Sequence, residues 1–480
     1  MRGSEAYDAL ILGSGQAGTP LAGALGRAGW RVAIAERVHW GGTCVNEGCS
    51  PTKLMIACAE GAHRARHAPE FGVSTVTVDL SEVRRLKREL VTSFARGSER
   101  GLQEAPNVTL LLGHAHFTAP NQVRVATAQG ERELTAPHIF INVGARPSVP
   151  DVPGLGAVPH LLDSTSIMEL SEVPSQLVVL GGGYIGLEFA QMFARFGSQV
   201  TVLQRGAQLI DREDTDIADA LMWALRDEGL SVHLMVSELR VEPLGSGAAR
   251  LQFNTPDGSQ TVETAHLLVA AGRVPNTDTL GIEAAGLTLD ARGFIPVNAR
   301  LETNVPGVYA LGDVNGGPAF THVAYDDFRV VRDALLGGGQ RPERLSTYTL
   351  FTDPQLGRVG LSERDARERG LDILVATLPM AHVARAIETR RTAGLMKAVV
   401  DRATHRILGA AVLGPEGGEV AAALQLAMLG DLPFTDLRDA VISHPTFAES
   451  LNNLFMTLGD VPPVGNSASR TEPSEVSHDA

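Results

Sequence analysis

Tyr7-Asp8-Ala9-Leu10-Ile11-Leu12-Gly13-Ser14-Gly15-Gln16-Ala17-Gly18 is a short β-type run that ends in a G-x-G-x-x-G turn. Helical composition continues to Gly29, and a second β-type run, Arg31 to Glu36, ends on an acid. The glycine pattern alone carries little weight, because a tight turn needs glycine for its own sake. Strand, glycine turn, helix, strand and terminal acid in that order make the dinucleotide-binding fingerprint. The glycines let the backbone approach a pyrophosphate, the helix N-terminus supplies its amide dipoles, and Glu36 can accept hydrogen bonds from a ribose diol. Gly13, Gly15, Gly18 and Glu36 are therefore read as nucleotide-binding.

The pattern then recurs. Leu177-Val178-Val179-Leu180 leads into Gly181-Gly182-Gly183-Tyr184-Ile185-Gly186, a helix to Gly197 and a strand from Val200 to Leu203, and Gly181 lies 168 residues after Gly13. Two dinucleotide folds in one chain point to two nucleotides exchanging electrons, one a flavin and the other a nicotinamide. The second site draws on Gly181, Gly183, Tyr184, Ile185, Gly186 and Gly272. Glu36 lies 18 residues past Gly18, whereas the residue 18 past Gly186 is Gln204, followed by Arg205. A carboxylate there would repel a 2′-phosphate and an arginine would pair with it, so the site is read as taking NADPH, with NADH still possible.

Gly41-Gly42-Thr43-Cys44-Val45-Asn46-Glu47-Gly48-Cys49-Ser50-Pro51-Thr52-Lys53 holds two of the three cysteines. On a regular helix, cysteines five apart would have Cα atoms roughly 8–9 Å apart, beyond the usual disulfide span. A bridge needs a distorted helix entry, which Gly48 and Pro51 supply. So few cysteines make no disulfide framework, and a close pair in a reducing compartment reads as catalytic or metal-binding. Metal is the weaker option, since two thiols lack sequence-local partners to complete four ligands. His114 and His116 would share a strand face but also lack a third ligand. Cys58, in helical sequence, reads as a small buried hydrophobe.

At 480 residues, 44% of them hydrophobic, the chain exceeds a single core and predicts two to four domains. Net charge is −14 from 41 basic and 55 acidic residues, with no basic cluster, which argues against nucleic acid as a partner. Met1 to Leu10 lacks a signal-peptide core and no apolar run is long enough to span a bilayer, so no membrane partner is expected and cytoplasmic residence is the default. Val83, Leu86, Leu90 and Phe94 mark a packing helix over residues 80–105. A β-rich stretch from Val108 to Val143 precedes Gly144-Ala145-Arg146-Pro147 and a Pro-rich crossing over 147–159. A helix follows from Thr215 to Glu228, and Ala310-Leu311-Gly312-Asp313 puts an acid at a strand end, where it can bind a sugar-like chain. Beyond residue 346, short strands (Leu374 to Thr377, Met396 to Val400, Ile407 to Leu413) alternate with helices as in an α+β domain. The polar tail from Gly465 to Ala480 reads as disordered.

With these motifs in view, residues 6–460 resemble the class I pyridine nucleotide-disulfide oxidoreductases. The resemblance implies an α/β fold of two Rossmann-like dinucleotide-binding domains, for FAD and NAD(P), plus a C-terminal α+β dimerisation domain. The segments are 1–150 and 273–345 for FAD, 151–272 for NAD(P), 346–464 for the interface and 465–480 for the tail. It implies that Gly-Gly-x-Cys-x4-Cys-x3-Lys is a redox disulfide, Cys44 being the interchange thiol facing substrate and Cys49 the charge-transfer thiol facing the flavin. Lys53 would lie near the flavin and pair with Glu188, Tyr184 would cover the nicotinamide pocket, and Asp313 would bind the ribityl chain. Gly42, Thr43 and Gly144 fall to the FAD site by the same likeness. Ser443-His444-Pro445-Thr446-Phe447-Ala448-Glu449 is similar to the His-Pro-Thr-x-x-Glu motif of dithiol-handling members. There His444 would reach the partner's disulfide across a homodimer with a shared active site, with Glu449 orienting it. Imidazole suits the proton transfer that a leaving dithiol requires.

Within the family, Gly-Thr-Cys-Val-Asn and Tyr348-Thr349-Leu350-Phe351-Thr352-Asp353-Pro354-Gln355 resemble the mercuric-reductase-like branch. Two departures stand out: the tail has no cysteine pair to hand over Hg(II), and His444 is present. Phe320 to Arg329 and His444 to Phe455 are similar to flavoproteins of reactive-chlorine resistance. The implied activity passes electrons from NADPH through FAD to Cys44–Cys49 and on to a disulfide, a metal ion or another oxidised small molecule. The alternatives are a dihydrolipoamide dehydrogenase and a low-turnover redox sensor. Glu47, a carboxylate beside Cys44, is expected to raise that thiol's pKa, and either to slow reaction with anionic disulfides or to favour cationic metal substrates.

Overall fold

The strand Ala9–Leu12 is buried at every position, and its side chains divide by parity. Leu10 and Leu12 enter one cluster with Ala33, Ala35, Ile139 and Ile141, while Ala9 and Ile11 join another with Leu21, Leu25, Val32 and Phe140. A strand covered on both faces reads as an unbroken apolar run, which is why Ala-Leu-Ile-Leu carries no polar residue. The computed structural model describes residues 4–67, 78–159, 161–245, 247–338 and 344–459. In it this strand is the middle one of five parallel strands, ordered Val108–Ala119, Val32–Glu36, Ala9–Leu12, His138–Ile141 and Val308–Ala310. Val108–Ala119 also leaves that sheet to pair antiparallel with Gln122–Thr127, which pairs with Gly130–Thr135.

Gln176–Leu180 repeats the arrangement. Ser231–His233, Gln199–Leu203, Gln176–Leu180 and His266–Val269 form a parallel sheet in that order, and Ser237–Pro243, Ala249–Thr255 and Gly258–Thr264 form an antiparallel meander. The repeat persists in the turns. Gly13 N donates to Ala35 O at 2.8 Å, and Gly181 N to Leu203 O at 2.9 Å. A Cβ on Gly13 would meet Asn142 O at 2.4 Å, and one on Gly181 would meet Ala270 O at 2.5 Å. With φ of +99° and +115°, both positions exclude any side chain. The Pro-rich crossing begins as a strand, Ala145–Pro147, paired with the returning Arg273–Pro275.

The chain divides into two compact units, Met1–Asp211 with Leu225–Arg344, and Arg212–Ala224 with Leu345–Ala480. The second contains an antiparallel sheet ordered Thr347–Leu350, Gln355–Gly360, Ile407–Gly414, Leu395–Asp401 and Ile373–Pro379. The helix Gly417–Leu429 lays Val420, Ala421, Leu424 and Ala427 on it. Buried charge explains why residues 212–224 belong here. Glu213 is fully buried and takes hydrogen bonds from the Arg358 guanidinium and the Tyr348 hydroxyl. Lys397 meets Asp216 at 2.9 Å and Glu363 at 2.6 Å.

The packing helix runs from Leu80 to Gln103 with Asp79 as its N-cap. Its apolar stripe is only partly covered, which corrects the reading of that stripe as packing: Val83 is buried, but Leu86 and Phe94 are exposed. The covered face runs instead through Leu80, Val83 and Lys87, whose ammonium bonds to Glu169 and Met168 O. His114 and His116 stack at 6.1 Å, and no cluster of three metal-ligating side chains occurs among the described residues. No helix among them is long and apolar enough to cross a membrane. The tail from Gly465 to Ala480 lies outside the described residues.

Candidate active site

The cysteine stretch forms two helices, Gly42–Asn46 and Cys49–Arg66, and the break at Glu47–Gly48 falls between the cysteines. A Cβ on Gly48 would lie 2.9 Å from Thr43 O and 3.3 Å from Cys44 Cα, so the two helices can approach this closely only with glycine at the joint. Pro51 sits in the first turn of the second helix, where it costs no intrahelical bond. All three cysteines are free thiols, and the expected Cys44–Cys49 bridge is not formed; the two stand side by side as a dithiol.

Thr321, the first residue of the helix Thr321–Leu336, places its hydroxyl between the pair. Its Oγ1 is 3.0 Å from Cys49 Sγ and 3.1 Å from Cys44 Sγ. The two thiols differ. A hydrogen bond from Cys44 brings the Cys49 thiol down to about 6, with help from Thr321 and the Lys53 ammonium, while burial and Glu188 oppose. Cys44 is pushed up, first by its bond to Cys49 and then by burial. The two shifts have opposite directions, so the coupled pair loses its first proton more readily than a lone thiol and its second less readily. Glu47 is not among the leading causes of the Cys44 shift, which corrects its expected role; its carboxylate instead accepts from Thr165 Oγ1 at 3.5 Å.

Lys53 lies one helical turn beyond Cys49 and so shares its face. Its Nζ reaches Glu188 Oε1 and Oε2 at 2.9 and 2.7 Å. Glu188 belongs to the helix Tyr184–Phe196, and the Tyr184 ring lies 5.9 Å from that of Phe320, the neighbour of Thr321. Cys44, Cys49, Lys53 and Glu188 thus come together. His444 and Glu449 belong to the other compact unit, where Nδ1 lies 2.9 Å from both carboxylate oxygens and the ring is exposed.

The residues present fit two dinucleotides. The helix Gly18–Arg27 has no side-chain cap at its N-terminus, and a Cβ on Gly144 would meet nothing within 4 Å. Gly42 packs on Gly15, with 2.7 Å from its would-be Cβ to Gly15 Cα, which brings the exposed Thr43 beside the turn. Glu36 Oε2 accepts from Ser14 N at 3.0 Å and Ser14 Oγ at 2.7 Å, while Oε1 accepts from Val38 N at 2.9 Å and keeps a lone pair for a ribose. Asp313 lies 3.7 Å from Arg273 Nε, a buried donor with no hydrogen-bond partner among the described residues, and burial pushes the Asp313 carboxyl up. At the second turn Gly183 caps its helix without a side chain and faces open space. Ile185 and Arg205 are exposed, and Gly272 lines the equivalent strand end at φ +136°. Gln204 repeats the Glu36 geometry, accepting from Gly182 N at 3.0 Å.

Three side chains escaped sequence reading. Besides Thr321, Asn142 is buried and accepts from Gly18 N at 3.0 Å while donating to Leu311 O at 2.7 Å. Ser14, fully buried, joins Glu36 to Gly41 N. Only the strand-end position of Asn142, before Val143-Gly144, offered a local signal.

The family model for pyridine nucleotide-disulphide oxidoreductases matches residues 7–327, and the model for their dimerisation domain matches residues 346–455. The chain belongs to the pyridine nucleotide-disulphide oxidoreductase family. It is 40% identical over 454 residues to the probable pyridine nucleotide-disulfide oxidoreductase RclA of Escherichia coli, covering 94% of this chain and 98% of that protein. Identity to a mercuric reductase of Staphylococcus aureus is 35% over 455 residues, covering 94% and 82%. A solved Cu(II) complex of the HOCl-induced flavoprotein disulfide reductase RclA from Escherichia coli superposes with a TM-score of 0.85 at 39% identity, covering 94% of this chain and 99% of that one. The two dinucleotide folds and the C-terminal domain are those of the family, and the protein is a flavoprotein disulfide reductase enzyme that uses FAD and a pyridine nucleotide.

Proposed function

We propose that the enzyme takes electrons from NADPH and delivers them, two at a time, from the Cys44–Cys49 dithiol to a metal ion such as Cu(II) or Hg(II), or to a disulfide. The observation that carries this reading is the close pair of free thiols, Cys44 Sγ and Cys49 Sγ lying 3.1 and 3.0 Å from the one hydroxyl of Thr321, with Lys53 a turn beyond Cys49. The bond from Cys44 and the Lys53 ammonium lower the Cys49 pKa and so favour its thiolate. FAD, when bound, supplies the two-electron exchange between a nicotinamide and this pair.

For a disulfide acceptor, the Cys44 sulfur attacks one substrate sulfur and the other leaves, taking a proton. Cys49 then attacks Cys44, releases the second substrate thiol and closes Cys44–Cys49. The exposed His444–Glu449 pair, contributed by a second copy through the dimerisation domain, is the assigned proton donor. For a metal acceptor, the dithiol gives up two electrons and two protons and becomes the disulfide, while two Cu(II) become Cu(I). The Cu(II) complex of RclA supports the cationic acceptor. The missing acid at Gln204 and the exposed Arg205 beside it support NADPH over NADH.

Steady-state NADPH oxidation against Cu(II), Hg(II), lipoamide, glutathione disulfide and quinones, repeated in Cys44→Ser and His444→Ala, tests the proposal. Loss of metal or disulfide reduction in Cys44→Ser is expected. Undiminished turnover in that variant, or a higher kcat/KM for NADH, would remove the corresponding part. Negligible turnover with every acceptor would favour a redox sensor.

A further inference from the structure

His63 and His67 lie four residues apart at the far end of the helix Cys49–Arg66, with His67 as its C-cap. Side chains at that spacing stand one above the other on one face. Their ring centres are 4.3 Å apart. A metal held about 2.0 Å from one nitrogen of each ring places the ring centres about 4.5 Å apart when the two bonds meet at a right angle, and about 5.1 Å apart at the tetrahedral angle. The observed spacing fits the right angle. His114 and His116, at 6.1 Å, are too far apart for either. His67 Nδ1 lies 3.0 Å from His63 O, and a carbonyl oxygen only accepts, so in the neutral ring Nδ1 carries the proton and Nε2 the lone pair.

We propose that His63 and His67 form a Cu(II) site, a His-x3-His chelate distinct from the dithiol. Imidazole suits Cu(II), which binds such donors more tightly than Zn(II) and prefers tetragonal geometry. Water fills the remaining positions. The charges around the pair tolerate a cation: Arg64 is neutralised by Glu60, and Arg66 donates to Arg195 O and, at 2.9 Å, to Phe196 O. The C-terminal end of an 18-residue helix also favours positive charge. Fourteen residues of helix separate His63 from Cys49, about 21 Å by helix rise, which places an ion here out of reach of that sulfur. The site therefore goes beyond the proposed reaction and binds without electron transfer.

The test is Cu(II) titration of the flavin-loaded enzyme in the Cys44→Ser/Cys49→Ser background, where no dithiol can bind or reduce the ion, read by equilibrium dialysis and electron paramagnetic resonance. A tetragonal spectrum with two nitrogen ligands is expected. His63→Ala or His67→Ala should weaken this binding about a hundredfold, because a chelate becomes a single ring, while His114→Ala/His116→Ala should leave it unchanged. Equal Cu(II) binding with and without either His63 or His67 overturns the site, and Zn(II) binding as tight as Cu(II) overturns the assignment to a tetragonal ion. Flavin retention checks the fold, and if an alanine variant loses flavin, His63→Phe or His67→Phe is read by the same titration. The dithiol is absent throughout, so failure of the proposed electron transfer and failure of this site are separate results.

Discussion

Lys53 Nζ binds both carboxylate oxygens of Glu188, at 2.9 and 2.7 Å, and so ties the helix that carries Cys49 to the helix that opens on the second glycine turn. The two charges act on Cys49 with opposite sign, Lys53 lowering its pKa and Glu188 raising it. Lys53→Met should raise the Cys49 pKa by about one unit or more, and Glu188→Gln should lower it. Titration of thiolate absorbance in the Cys44→Ser background reads both shifts, and equal signs would contradict the arrangement.

Stability should follow pH through the same thiol. The folded Cys49 pKa of about 6 lies below its ordinary value of 9.0. Its stabilising contribution is therefore fully present above the ordinary thiol pKa and is lost as pH falls through about 6. Cys44, pushed the other way, contributes below its ordinary pKa and loses that contribution at more alkaline pH. Urea midpoints for the parent and Cys49→Ser should diverge as pH rises from 6 to 9.

Asn142→Ala removes two buried hydrogen bonds and strands the Gly18 amide. A loss of about 2–3 kcal/mol is expected by urea unfolding. Weaker flavin retention should accompany it, because Gly18 opens the helix assigned to the pyrophosphate.

Gly48→Ala forces a methyl group to within 2.9 Å of Thr43 O and pushes apart the two helices that carry the cysteines. The cost should be about 1–3 kcal/mol. The more telling readout is the dithiol reduction potential against a glutathione buffer, which should move while that of a Ser50→Ala control does not.

In the second unit, Arg358→Leu leaves the buried Glu213 without its counter-charge and should cost about 3–5 kcal/mol. The double variant Glu213→Leu/Arg358→Leu should recover much of that loss, and a double-mutant cycle by thermal unfolding measures the coupling.

The fold was legible because its two parallel sheets rest on local signals. Ala9–Leu12 and residues 177–180 are continuous apolar runs ending in glycines that backbone contact makes obligatory. The break between Cys44 and Cys49 was likewise visible in Gly48 and Pro51. Thr321 was not, because it meets Cys44 across 277 positions of sequence and nothing local marks a helix-initial threonine as a thiol partner. The exposed Leu86 and Phe94 show a related limit: periodicity identifies a helix's apolar stripe but not how much of it the core reaches. Charge reasoning from sequence failed at Glu47, where nearness along the chain counted for less than the other sulfur.

Residues 212–224 lie between two strands of the second parallel sheet, yet they cluster with the C-terminal unit through Glu213, Asp214 and Asp216. The polypeptide therefore switches units three times, at 211/212, 224/225 and 344/345. These units are not interchangeable parts. A fragment ending at residue 345 would keep Glu213 but lose Arg358 and Tyr348, and a C-terminal segment transplanted without 212–224 would arrive with the buried Arg358 lacking Glu213 and with Lys397 left with Glu363 but without Asp214 and Asp216. Chimeras between this enzyme and its relatives should be joined so that 212–224 travels with the C-terminal unit, whatever the linear order of the gene implies.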